Sequence, residues 1–279
     1  MAVVRDTDWL GSRLDNPDLC IVDASWFLPT DPHTGRKTYL QAHIPGAVFF
    51  DIDEIADHGS GLPHTLPTAE NFAARVSTLG ISNDSQVVVY DAQGVMSAPR
   101  VWWMFRVFGH NQVVVLNGGL PKWLAEGGPV ENGDPPNSSA EFTARLQPNW
   151  VRYLTDVHNF MESGAELIID VRSAERYSGV EPEPRPNVRS GHIPNSVNLP
   201  FTELVTKGML HTPKGVRLAL SRAGVDTTLP IIASCGSGVT ACILGLALSS
   251  IGNENWAVYD GSWSEWGCQH QLPIEEPKA

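Results

Sequence analysis

Cys235 stands where a strand gives way to a helix. Ile231-Ile-Ala-Ser234 is apolar and rich in branched residues, Cys-Gly-Ser-Gly-Val-Thr240 is a glycine-rich turn, and Ala241-Cys-Ile-Leu-Gly-Leu-Ala-Leu248 is an apolar helical run. In such a turn the backbone N–H groups of Gly236, Ser237, Gly238, Val239 and Thr240 can converge on one point, and the helix dipole adds positive partial charge there. A sulfur held at that point is favoured as thiolate, the nucleophilic form of cysteine. The other cysteines lack this setting: Cys20 lies inside a strand, Cys242 inside the apolar helix and Cys268 near the C-terminus. Two other chemistries use loops of this kind. Gly236-Ser-Gly238-Val-Thr-Ala241 fits the dinucleotide fingerprint with Asp260 downstream, but only 19 residues follow Asp260, too few for a second nucleotide-binding half. A cysteine phosphatase needs an arginine six residues after its cysteine, and that position is Ala241.

The elements that position Cys235 occur twice. Leu19-Cys-Ile-Val-Asp23 and His43-Ile-Pro-Gly46 return as Leu167-Ile-Ile-Asp170 and His192-Ile-Pro-Asn195. Val87-Val-Val-Tyr-Asp91-Ala-Gln-Gly94 aligns with Ile231-Ile-Ala-Ser-Cys235-Gly-Ser-Gly238, and Leu116-Asn-Gly-Gly-Leu-Pro-Lys-Trp123 aligns with Tyr259-Asp-Gly-Ser-Trp-Ser-Glu-Trp266. The offsets, 144 at Cys235 and 143 at Trp266, are those of one ancestral unit copied. Features in both copies, such as His43 and His192, read as structural; a reactive group in one copy reads as a site. The marked asymmetry is Cys235 against Asp91. Short strands alternate with helical stretches near 70–79, 99–108 and 239–251, with Gly80, Gly109 and Gly252 at the expected helix ends. The expected fold is α/β, two domains each built on a parallel sheet flanked by helices. The domains are expected at 1–135, without the cysteine, and at 150–279, with it. Between them, residues 127–139 are dense in turn formers and read as a linker.

Composition narrows the function. The chain has 279 residues, 42% hydrophobic, a length that suits two modest domains. Its 19 basic residues stand against 31 acidic ones, a formal charge of −12, which disfavours nucleic acid and anionic membrane surfaces as partners. An anionic substrate must then be captured by a few placed cations. Four cysteines without a C-x-x-C make structural zinc and a disulfide scaffold improbable and suggest reduced thiols in a cytoplasm. MAVVRDTDWL shows no basic-then-apolar leader, and no apolar run reaches a membrane-spanning length.

Together these residues resemble the tandem-rhodanese sulfurtransferases, over nearly the whole chain. The resemblance is carried by His43-Ile-Pro-Gly-Ala, Phe49-Phe-Asp-Ile-Asp53, Ser97-Ala-Pro-Arg-Val-Trp-Trp-Met-Phe-Arg106, Glu181-Pro-Glu-Pro-Arg185, Cys235-Gly-Ser-Gly-Val-Thr-Ala241 and Tyr259-Asp-Gly-Ser-Trp-Ser-Glu-Trp266. It implies sulfur transfer from 3-mercaptopyruvate through a Cys235 persulfide to cyanide, a thiol or thioredoxin, with pyruvate released and no metal or organic cofactor. It also implies that Arg176 and Arg185 bind the substrate carboxylate, and that Ser237, Asp53 and His64 form or polarise the site. Gly236 and Ser237 are neutral where thiosulfate-specific members carry cations. Alternatives are a thiosulfate sulfurtransferase and a noncatalytic sulfur carrier.

Overall fold

The computed structural model describes residues 2–134 and 139–276; residues 135–138 of the expected linker lie outside the described residues. The chain forms two compact units. The first comprises residues up to Ala56, Leu66–Gln147 and Lys207–Leu210; the second comprises Asp57–Thr65, Pro148–Thr206 and the chain from His211 onward. A nine-residue piece of the first half therefore belongs to the second unit.

The first sheet contains β1 (Val4–Arg5), β2 (Leu19–Asp23), β3 (Val48–Phe49), β4 (Gln86–Tyr90) and β5 (Val113–Leu116), in the order β1-β5-β4-β2-β3. The second contains β6 (Val151–Arg152), β7 (Leu167–Asp170), β8 (Val197–Asn198), β11 (Ile231–Ser234) and β12 (Trp256–Tyr259), in the order β6-β12-β11-β7-β8. Two further two-residue strands, β9 (Val205–Thr206) and β10 (Met209–Leu210), stand outside both sheets. All pairings in the two large sheets are parallel. The repeat thus gives the same strand order twice, with β4 and β11 central. Both central strands are rich in β-branched residues, and 87–90 of β4 and all of β11 are buried, as strands covered on both faces must be.

The helix after each central strand carries the loop of interest. In the first unit α4 (Ala98–Val107) packs on β4 and β5; in the second α9 (Ala241–Ser250) packs on β11 and β12. Helix α9 begins two residues later than expected, because Val239 and Thr240 belong to the turn that leads into it. It is apolar on every side, and Ala241 through Ser249 are all buried. Gly245 lets it approach the sheet: a Cβ there would lie 2.3 Å from the Trp256 ring. Gly80, Gly109 and Gly252 take φ values of 76°, 88° and 82° just past helix ends, the left-handed stop that glycine permits. His43 and His192 are structural in both units: Nδ1 bonds to the carbonyl of Tyr39 (2.8 Å) or Tyr177 (2.9 Å), and the ring stacks on that tyrosine.

Candidate active site

Strand β11 ends at Ser234, and Cys235, 1% exposed, is the first residue beyond it. Its backbone is held from one segment. The Cys235 N–H donates to Ser262 Oγ (3.2 Å), and the Cys235 carbonyl accepts the Trp263 N–H (3.0 Å). The Gly236 carbonyl accepts both the N–H (2.8 Å) and the hydroxyl (2.6 Å) of Ser264. The turn then reverses at Gly238, φ 80°, passes buried Val239 and enters α9 through Thr240. Cys242 points its thiol at the Gly238 carbonyl (3.3 Å) from within the helix, the packed position expected for it.

Two cations converge beside the cysteine. A Cβ built on Gly236 would lie 3.1 Å from Arg176 Nη2 and 3.8 Å from Arg185 Nη1. Arg176 sits on α7 (Ala174–Ser178), whose first turn is capped by the Ser173 hydroxyl accepting the Arg176 N–H (3.3 Å). Its guanidinium donates to Glu183 through Nε (3.2 Å) and Nη2 (2.5 Å). Glu183 also receives Arg172 Nη1 at 2.6 Å, and Arg172 grips Asp170 with Nε and Nη2 at 2.9 and 2.6 Å. Burial opposes the Arg172 charge, but the Asp170 and Glu183 carboxylates outweigh it and hold its pKa above the usual value. Two cations are matched by two carboxylates, and Glu183 takes the Nε–Nη2 edge of Arg176, which fixes the guanidinium fork beside Gly236.

A third group comes from the 57–65 segment. Its ends are tied by the Asp57 N–H donating to the Thr65 carbonyl (2.9 Å), and Ser60 and Thr65 hydroxyls meet at 2.7 Å. This is the geometry of a compact Ω-loop. His64, buried within it, adopts φ 63°, a left-handed conformation uncommon outside glycine, and places Nδ1 2.9 Å from Ser237 Oγ. Arg185 Nη2 reaches the same oxygen at 3.4 Å. Because a guanidinium only donates, the Ser237 hydroxyl accepts from Arg185 and keeps its own proton for another partner, which sets it between an imidazole and a cation. The structure therefore brings together Cys235, Ser237, His64, Arg176 and Arg185 on or against one turn. Asp53 belongs to the first unit, where its carboxylate accepts the Trp26 indole N–H at 3.0 and 3.2 Å. Sequence reasoning passed over Ser262, Ser264, Glu183 and Arg172. A signal existed for the two serines, which replace Gly119 and Pro121 of the first copy.

Comparison with known proteins bears on this arrangement. A family model described as "Rhodanese-like domain" matches residues 6–126 and again 153–268. The chain belongs to the rhodanese family. It carries two rhodanese domains, and its relatives are sulfurtransferases. The 3-mercaptopyruvate sulfurtransferase of Escherichia coli (strain K12) is 43% identical, covering 97% of each chain. The thiosulfate sulfurtransferase of Bos taurus is 44% identical over 96% of this chain and 92% of that one. The crystal structure of SseA from Escherichia coli, described with the fold and catalytic mechanism of 3-mercaptopyruvate sulfurtransferases, superposes with a TM-score of 0.87 at 40% identity. It covers 94% of this chain and 99% of its own. Among the described residues of this rhodanese, no helix is long and apolar enough to cross a membrane, and no cluster of three or more potential metal ligands is present.

Proposed function

We propose that this rhodanese moves the sulfur of 3-mercaptopyruvate through a persulfide on Cys235 to a thiophilic acceptor such as cyanide, a small thiol or thioredoxin, and releases pyruvate. The observation that carries the reading is the convergence of Arg176 and Arg185 on Gly236, beside a cysteine whose next two residues are neutral. Two guanidinium groups there suit one carboxylate, and the neutral turn offers no further cation for a dianion. The carboxylate seats against Arg176 and Arg185, and the Cys235 thiolate attacks the substrate sulfur. The S–C3 bond breaks, its electron pair passing to C3 to give the enolate of pyruvate. The proton that leaves the substrate thiol is the one the enolate gains, and the His64–Ser237 pair is placed to relay it. Outer sulfur remains on Cys235 until the acceptor attacks it and restores the thiolate. Catalysis is assigned to 150–279 together with His64, and 1–135 is the domain without a catalytic cysteine. A cytoplasmic setting goes with this reading, since persulfide exchange needs reduced thiols.

A second reading, thiosulfate as the preferred donor, is favoured by the bovine relative, which is as similar as the mercaptopyruvate enzymes. Parallel measurement of kcat/KM for both donors, with intact-mass analysis after donor treatment, separates them. Mercaptopyruvate should be faster, with about 32 Da added at Cys235. Faster thiosulfate turnover overturns the donor assignment; turnover without label on Cys235 overturns the persulfide.

A further inference from the structure

Cys235 is not the only position at which the second unit departs from the first along this turn. In both units one backbone bond is shared: the Leu120 N–H donates to the Asp91 carbonyl and the Trp263 N–H to the Cys235 carbonyl, each at 3.0 Å. The flanking residues differ. Gly119 takes φ 51°, and a Cβ on it would lie 2.3 Å from the Asp91 carbonyl oxygen. Its counterpart Ser262 takes φ 48°, the same left-handed conformation, yet carries a side chain and is fully buried. Holding a non-glycine residue there costs on the order of 1–3 kcal/mol. The Ser262 hydroxyl accepts the Cys235 N–H at 3.2 Å and donates to the Tyr259 carbonyl at 2.8 Å. Two residues on, Pro121 has neither N–H nor hydroxyl, whereas Ser264 gives both to the Gly236 carbonyl.

We propose that Ser262 and Ser264 are positioning residues for Cys235, a two-hydroxyl clamp that fixes the backbone on both sides of the reactive sulfur. The clamp rests on the reading of Cys235 as the sulfur carrier. Its physical logic is that thiolate attack requires a defined approach, and displacement of about 1 Å can cost a hundredfold in rate. A backbone held at the Cys235 N–H, the Cys235 carbonyl and the Gly236 carbonyl cannot swing the Cα–Cβ bond away. The first unit, which has no sulfur to aim, keeps the cheaper glycine and proline.

The test uses the full-length protein with 3-mercaptopyruvate and a thiol acceptor. Ser262→Gly removes both hydroxyl and strain; Ser262→Ala removes the hydroxyl and keeps the strain. Both should lower kcat about tenfold with KM within about twofold, while the glycine variant melts at the higher temperature. Ser264→Ala should lose kcat in the same sense, and Ser264→Thr, which keeps the hydroxyl, should restore it. Wild-type kcat in folded Ser262→Gly overturns the clamp. So does activity in the two Ser262 variants that simply follows their melting temperatures. A Cys235→Ser protein that still turns over overturns the carrier reading itself, independently of either serine.

Discussion

Asp91 and Cys235 end equivalent central strands, and the turns that follow them are used in opposite ways. In the first unit the Asp91 carboxylate accepts the N–H groups of Gln93 (2.8 Å) and of Met96, Ser97 and Ala98 (2.9 Å each). Burial raises its pKa, and the four backbone bonds offset part of that rise. The donors that such a turn gathers at a helix start are thus occupied by the Asp91 side chain. In the second unit the corresponding residue is a thiol, whose anion in the proposed reaction attacks the donor sulfur and holds it as a persulfide. Equivalent turns follow both central strands, and the residue at the strand end decides between a structural plug and a candidate site. A second difference concerns the cations. Tyr39 and His43, stacked at 4.2 Å, are four residues apart; Tyr177 and His192, stacked at 3.8 Å, are fifteen apart. The eleven additional residues of the second copy include Glu183 and Arg185, and Arg176 beside Tyr177 replaces Thr38.

The sharpest way to break this comparison is to give the second turn the plug of the first. Cys235→Asp should fold, because the equivalent turn of the first unit holds an aspartate on four backbone N–H groups, and should lose sulfur transfer by about a thousandfold or more. Donor turnover and a thermal melt read the two parts separately. Residual turnover above a few percent would mean that another thiol carries sulfur.

The next contrast is between the acids at the ends of β2 and β7. Asp170 is held by Arg172, whereas Asp23 has Ser25 at that place and its Oδ2 lacks a hydrogen-bond partner among the described residues. Burial pushes the Asp23 carboxyl up to about 6 from an ordinary 3.8, against the opposing bond from Ser25. The fold therefore prefers the protonated acid: its contribution is complete below pH 3.8 and is lost as pH rises through about 6. Asp23→Asn abolishes that loss, so its stability relative to wild type should improve by up to about 3 kcal/mol between pH 4 and pH 8. Urea denaturation at both pH values measures it, and a pH-independent difference would refute the assignment.

Arg176→Gly and Arg185→Gly remove cations that the first copy lacks. Each should lower kcat/KM for 3-mercaptopyruvate by one to two decades, about 1.5–3 kcal/mol, mainly through KM. If both variants keep wild-type efficiency, the carboxylate is bound elsewhere.

What the sequence disclosed follows from what repeats and what is local. Alternating apolar strands and helices, doubled in the same order, made the two parallel-sheet domains legible, and the glycine turn after Ile231-Ile-Ala-Ser marked Cys235. His64 needed the resemblance to be noticed, because its partner Ser237 is 173 residues away and the 57–65 segment, though in the first half of the chain, belongs to the second unit. Glu183 was visible only as part of a motif: a carboxylate shared by Arg172 and Arg176 depends on how the insertion folds back over α7. The serines could have been found by extending the copy-against-copy logic from Cys235 and Asp91 to Ser262 and Gly119.

The smallest change that sharpens the comparison is Gly236→Ala, since the first copy has Ala92 at this position and no arginine to meet it. The new Cβ would stand 3.1 Å from Arg176 Nη2, closer than comfortable contact. An arginine tip ordinarily swings aside, but this one is tied to Glu183 at 2.5 Å and can give only a few tenths of an ångström without breaking that pair. The fork should therefore tilt out of line with the carboxylate while Cys235 and its backbone bonds stay in place. KM for 3-mercaptopyruvate should rise roughly threefold to tenfold, about 0.7–1.4 kcal/mol, with kcat within about twofold and the melting temperature unchanged. Steady-state kinetics decide it. A fall in kcat at constant KM would show that residue 236 acts through the cysteine and not through the arginines.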